Sequence, residues 1–245
     1  MPLSSAKIMR PLALLTSLLP TLVAVGYAAP GESDGEAAQM QRLQAARQLM
    51  DAGKPETAVQ TEIDPVIKYY EGKYSRESRK VYCARTSAER LAYLLESASK
   101  KEAAVAIGPE WATAYFMKTY ALIDLGRVSE ARTNLTRALE LSPSNSQCLS
   151  ELAHLYQIDK NLTESQRLFV RAEECARTFS PDEAKVGELT RALRGQGYNL
   201  VEMGKLDEAE AKYRECLKQD RNDRAALDEL EYLKARKDSA KSNQR

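Results

Sequence analysis

The sequence predicts an all-α solenoid of antiparallel helix pairs, and three observations carry that expectation. First, the stretch GRVSEARTNLTRALELS (126–142) recurs as KNLTESQRLFVRAEECA (160–176) and as GKLDEAEAKYRECLKQD (204–220). On a common frame Ala131, Ser165 and Ala209 fall five residues after the corner. Leu135, Phe169 and Tyr213 follow four later, then Ala138, Ala172 and Cys216 three after that. Second, a small residue, a bulky one and a small one at helical spacing leave a face narrow enough for another helix to approach. Third, glycine stands at the corner (Gly126, Gly204), where a helix ends in the left-handed conformation, and Pro143 follows the apolar pair Leu139 and Leu141. The first two copies are 34 residues apart, the period of a helix–turn–helix repeat. The next offset is 44, which places a ten-residue inserted loop around Thr178–Gly187, marked by Pro181.

The elements are expected in this order. Lys7 and Arg10 precede the apolar run Pro11–Val25, and Gly26-Tyr27-Ala28 supplies small residues, which together describe a secretory signal peptide over 1–28, cleaved near Ala28. That run is fifteen residues, carries Pro20 and is shorter than the ~20 apolar residues of a spanning helix, so export to a periplasmic or secreted location without a membrane span after cleavage is the expectation, with a retained anchor as the alternative. Residues 29–40, small and acidic, read as a disordered lead-in. Degenerate helical repeats fill 41–111. There Ala46, Gly53 and Ala58 repeat the corner spacing, Pro65 is expected to break or kink the next helix, and Tyr69–Tyr82 fits the frame badly. Ala104, Val105 and Ile107 align with Ala138, Leu139 and Leu141 as a second helix. Repeat units follow over 112–145, 146–189 (with the loop) and 190–223. A capping helix over 224–237 carries Leu227, Leu230 and Leu233 at helical spacing, and a disordered tail spans 238–245.

Composition narrows the function. Lys plus Arg number 36 against 35 Asp plus Glu. Without the two bases of the leader the balance is 34 to 35, so no net field draws the chain to nucleic acid or an anionic membrane. Hydrophobic residues make up 43%, enough for a packed core. The single histidine, His154, has no companions at metal-ligand spacing. Nor does it stand beside a nucleophile in any recognisable arrangement. The Gly195–Gly197 pair lacks the lysine of a phosphate loop. No metal, no cofactor and no catalytic set are expected; an enzyme would need a polar cluster in the Tyr69–Cys83 region that the sequence does not supply.

In its repeats the chain resembles the tetratricopeptide-repeat family. Leu149, Leu152, Ala153 and Tyr156 match the first-helix pattern of that family, and Phe169 and Ala172 the second. The unit before it keeps Gly126, Ala131, Ala138 and Pro143 but has Lys118 and Thr119 where Leu and a small residue are usual. The unit after it keeps Leu193, Gly197, Leu200, Gly204, Ala209 and Tyr213 and has Arg221 in place of the proline. The resemblance implies a right-handed superhelical solenoid whose first helices line a concave, peptide-binding groove. Carried over, the groove residues are Phe116, Tyr120 and Ile123; then Gln147, Ser150, His154 and Gln157; then Arg191, Arg194, Tyr198 and Val201. An apolar end and a basic end would suit a protein or peptide bearing an acidic or carboxylate segment. Loss of Arg191 and Arg194 is then expected to weaken binding without unfolding. An exported envelope adaptor or assembly factor is the implied function; the alternative is a structural, self-associating repeat protein without a groove ligand. Cys148 opens one helix and Cys175 closes its antiparallel neighbour, so in an oxidising compartment they form a candidate disulfide.

Overall fold

A computed structural model describes residues 33–242. The leader read at 1–28 lies outside the described residues. The elements are α1 (Ser33–Asp51), α2 (Pro55–Ala58), a π-helical turn (Val59–Ile63), α3 (Asp64–Lys73), β1 (Lys80–Cys83), α4 (Ser87–Ser99) and β2 (Ala104–Ile107). Then come α5 (Glu110–Asp124), α6 (Val128–Leu141), α7 (Ser146–Ile158), α8 (Leu162–Phe179), α9 (Asp182–Glu202), α10 (Leu206–Gln219) and α11 (Arg224–Ser242). Helix α1 starts inside the segment expected to be disordered, and α11 runs five residues past the expected end of the capping helix.

The small-residue seam is the packing principle of the repeats. Ala131, Ala138, Ser165, Ala172, Ala209 and Cys216 are all completely buried, and the bulky residues between them, Leu135, Phe169 and Tyr213, are buried too. The first helices have their own gaps to match. A methyl group on Gly195 would sit 2.3 Å from the Phe169 ring, and one on Gly197 would sit 2.7 Å from the Tyr213 ring. These two glycines let α8 and α10 lie against α9.

The corners repeat to the atom. At Gly126 the N–H donates to the Ile123 carbonyl at 2.9 Å and the Arg127 N–H to the Leu122 carbonyl at 2.8 Å. Gly53, Lys160 and Gly204, each with the residue that follows, make the same pair of bonds. All four corner residues have positive φ, from 60° at Lys160 to 77° at Gly204. Lysine in that conformation is strained by its Cβ, whereas glycine is not. Lys160→Gly should therefore stabilise the protein by about 0.5–1 kcal/mol, read as a higher urea midpoint; an unchanged or lower midpoint would show the corner to be unstrained.

The expected loop around Thr178–Gly187 is not a loop. Extra residues lengthen α8 to 18 residues and α9 to 21, leaving only Ser180 and Pro181 between them. Proline stops α8 but suits the N-terminal side of a helix, so the break is short. Pro65 likewise does not break its helix: it sits in the first turn of α3, and the π-helical turn before it absorbs the missing donor.

The larger correction concerns Ala104–Ile107. That run is strand β2, paired in parallel with β1 so that Lys80 faces Ala104 and Cys83 faces Ile107. Helix α4 is the crossover. A four-residue apolar run closed by Gly108 and Pro109 is too short for a helix and rich enough in β-branched residues for a strand. Tyr82 stacks on Tyr93 of α4, with ring centroids 4.9 Å apart. This β–α–β insert is tied to the repeats. Thr86 Oγ1 donates to the Phe179 carbonyl at 3.1 Å, and the Ser144 N–H donates to the Tyr93 hydroxyl at 3.0 Å. The repeats form one all-α solenoid of stacked antiparallel pairs with this small sheet inserted ahead of α5.

Candidate functional site

Helices α5, α7 and α9 are the first members of the three repeat pairs and carry every residue expected in the groove. Phe116, Ser150 and Val201 are buried and belong to the core. Phe116 meets Tyr120 edge-on, with ring centroids 5.0 Å apart. Phe116, Ser150 and Val201 are therefore corrections to the expected stripe. Helical spacing of three and four covers an arc wide enough to include residues already turned inward.

At the centre Tyr120, Glu151 and Arg191 bridge all three helices. Glu151 is only 3% exposed and forms an ion pair with the Arg191 guanidinium, while the Tyr120 hydroxyl stands beside the same carboxylate. Burial holds the Tyr120 phenol well above its ordinary value. Nearer the corner, Gln157 Nε2 donates to Asn199 Oδ1 at 2.8 Å and to the Gly195 carbonyl at 3.3 Å, and Asn199 Nδ2 donates to Ser165 Oγ at 2.9 Å. His154 Nδ1 lies 3.1 Å from Gln157 Oε1, part of the same ladder. Arg194 forms an ion pair with Asp223, whose other oxygen accepts from the Ala226 N–H and so caps α11.

The basic end expected for the face is thus used internally. Arg191 and Arg194 neutralise Glu151 and Asp223, and an incoming carboxylate would have to displace acidic groups already in place. Ile123, Gln147 and Tyr198 remain half-buried on the same side, one or two turns from the bridging residues. Among the described residues no group of acidic, histidine and cysteine side chains could hold a metal ion. No helix there is long and apolar enough to cross a membrane.

Cys148 and Cys175 are free and buried, as are Cys83 and Cys216. The expected pairing misses because Ser146, not Cys148, faces α8: its Oγ donates to the Ala172 carbonyl at 2.7 Å. Two residues on, Cys148 points about half a turn away, into the α5–α7 core, while Cys175 packs in the α7–α8 core. Burial raises the Cys148 and Cys175 thiols above their ordinary values and pushes those of Cys83 and Cys216 up to about 12. Such thiols are poor nucleophiles.

The βαβ insert was the feature missed from sequence. Its signal was present: two short apolar runs, 80–83 and 104–107, flank a helical pattern. Thr86 and Glu89 also have the spacing of a capping box, and Thr86 Oγ1 does accept from the Glu89 N–H at 3.1 Å.

Comparison with known proteins agrees with this architecture. The tetratricopeptide-repeat family model matches residues 112–145 and 195–223. No curated protein matches the chain at a significant level. Among solved structures, PilF of Pseudomonas aeruginosa is 14% identical over 83% of this chain and 71% of its own, with a TM-score of 0.56. MamA (41-end) from Desulfovibrio magneticus RS-1 is 13% identical over 83% of this chain and 88% of its own, with a TM-score of 0.51. A third structure, the first TPR of Spaghetti (RPAP3) bound to an HSP90 peptide, is 20% identical over 53% of this chain and 94% of its own, with a TM-score of 0.45. The chain is an all-α solenoid that contains tetratricopeptide repeats.

Proposed function

We propose that the chain is an exported scaffold that binds another protein or peptide, an envelope adaptor or assembly factor and not an enzyme. The observation that carries this reading is the stack of repeat pairs itself, which aligns α5, α7 and α9 on one side with Ile123, Gln147 and Tyr198 still open beside the internal ion pairs. The basic, apolar and small-residue order of residues 1–28 supports export. With both arginines engaged, the ligand for the inner face is better described as an uncharged segment than as an acidic one.

The test has two arms. Expression with the leader, fractionation and intact mass should find a periplasmic chain that begins near residue 29; a full-length cytosolic chain would overturn export. In-compartment crosslinking should then yield a discrete partner that is lost in Ile123→Asp with Tyr198→Asp, both variants remaining helical. Retention of that partner would remove the inner face as its site. The alternative, self-association through the end helix, is favoured by Leu227 and Tyr232, which are 39% and 52% exposed on α11. Light scattering after size exclusion separates the two, since a monomer favours the adaptor.

A further inference from the structure

A cavity of about 520 Å3 opens beside β1, away from the α5–α7–α9 face. Its apolar walls are Trp111 and Tyr115 of α5, Leu141 of α6 and Val81 of β1. The indole is held rigid by stacking on Tyr70 and on Tyr74, with centroids 5.9 Å away in each case. Around the mouth two cations, Lys80 and Arg137, balance two carboxylates, Glu71 and Glu140, and the Lys80 ammonium lies 4.9 Å from the Tyr82 ring centroid. Glu71 accepts from the Tyr115 hydroxyl at 2.8 Å, and Arg137 pairs with Glu140 at 2.6 Å. Such a cavity, preformed and lined by aromatic and aliphatic groups, takes an uncharged side chain.

The backbone next to it is equally specific. In the parallel ladder the Lys80 N–H donates to the Ala103 carbonyl and the Ala84 N–H to the Ile107 carbonyl. With Lys80 opposite Ala104, residues 80, 82 and 84 turn their peptide groups toward β2. Val81 must therefore turn its N–H and carbonyl outward. Beside it the Arg79 N–H is taken up by Glu77 Oε1 at 3.0 Å, and on the far edge of β2 the Arg90 guanidinium donates to the Ala106 carbonyl. Among the described residues nothing hydrogen-bonds to the outward groups of Val81. An open pair of peptide groups at a strand edge is the template for another strand.

We propose that β1 is a docking edge: an extended segment of a partner polypeptide adds as a strand alongside Val81 and sets an uncharged aromatic or branched apolar side chain into the Trp111–Tyr115–Leu141 cavity. The two features need each other. The edge selects a peptide backbone over a free small molecule, and the cavity selects the side chain. The site is independent of the inner face, so Ile123→Asp with Tyr198→Asp should leave it intact.

Trp111 is the sole tryptophan, so its emission reports occupancy. The probe is the blocked pentapeptide acetyl-Thr-Thr-Phe-Thr-Thr-amide, compared with its Asp-for-Phe analogue and with two versions methylated on alternate amides. The parent peptide should give a saturable emission change. The Asp analogue should bind about tenfold more weakly or worse, because its carboxylate would give up water against the apolar walls of Trp111, Tyr115 and Leu141. Only one of the two methylated versions should lose binding, since a strand bonds through one set of amides. Val81→Pro removes the outward N–H while sparing the ladder bonds, and should weaken the parent by about tenfold or more with an unchanged circular dichroism spectrum. If that variant loses structure, Leu141→Trp, which fills the cavity, replaces it with the same expected loss. No saturable change up to about 1 mM peptide, a range that reaches even weak complexes, would overturn the proposal. So would equal binding by both methylated versions and the parent.

Discussion

Replacing Arg85 with alanine should lower stability by about 3–5 kcal/mol, the cost of leaving buried carboxylates without their cation. Glu89 is fully buried and Glu188 nearly so. Arg85 reaches Glu89 Oε1 through Nε and Nη2, both at 3.1 Å, and Glu188 Oε1 through Nη1 at 2.7 Å. Its backbone N–H also donates to Glu89 Oε2 at 2.6 Å, and the Ser180 hydroxyl bonds to Glu188. One guanidinium thus joins the insert helix α4 to α9 across the break at Ser180 and Pro181. Burial raises the Glu89 carboxyl above its ordinary value even with Arg85 present. A carboxyl raised on folding favours the folded state at low pH, and that contribution is lost as pH rises through its folded value. The deficit of Arg85→Ala should therefore be largest at neutral pH and shrink at an acidic one, as Glu89 takes up a proton. Urea melts at the two pH values read this directly. A small deficit that ignores pH would mean that water, not Arg85, solvates the cluster.

Arg191→Ala should cost nearly as much, about 3 kcal/mol, at the lower end of the range because the arginine side chain itself is 31% exposed. The loss comes from Glu151, which stays buried without its partner, and from Tyr120, whose hydroxyl stands beside that carboxylate. Replacing both charges, Arg191→Met with Glu151→Leu, should recover most of the stability, since two uncharged side chains leave no buried charge to solvate. Thermal melts of the two single variants and the double decide it. Additive losses in the double would deny that Glu151 and Arg191 act as a pair. The result also bears on function: weakened binding in Arg191→Ala would reflect a disturbed α5–α7–α9 face and not a lost ligand contact.

The repeat core was legible because its signals are local. Gly126 and Gly204 mark corners whose bonds span only a few residues, and even Lys160 keeps the conformation that its place in the frame predicts. Ala138, Ala172 and Cys216 were readable as buried because helical spacing alone turns them toward the neighbouring helix. Legibility failed at Ala104–Ile107, where alignment to Ala138–Leu141 outweighed strand chemistry. The partner that makes those residues a strand is β1, 24 residues away, and no helical frame can contain it.

The candidate face was legible as a position and illegible as a surface. Tyr120, Gln157, Arg191 and Arg194 do lie on first helices, yet each is engaged by the protein itself. The repeat architecture follows from the residues alone, since small-residue spacing and corner conformation act within one 34-residue unit. Which charges pair inside and which groups stay open depends on how distant segments come together in space. Arg85 finds Glu188 at a separation of 103 residues and Arg194 finds Asp223 at 29. Val81 is left unpaired only because β2 takes the other edge. Electrostatic and edge pairing are settled by proximity in space, and a chain read in one dimension does not carry that distance.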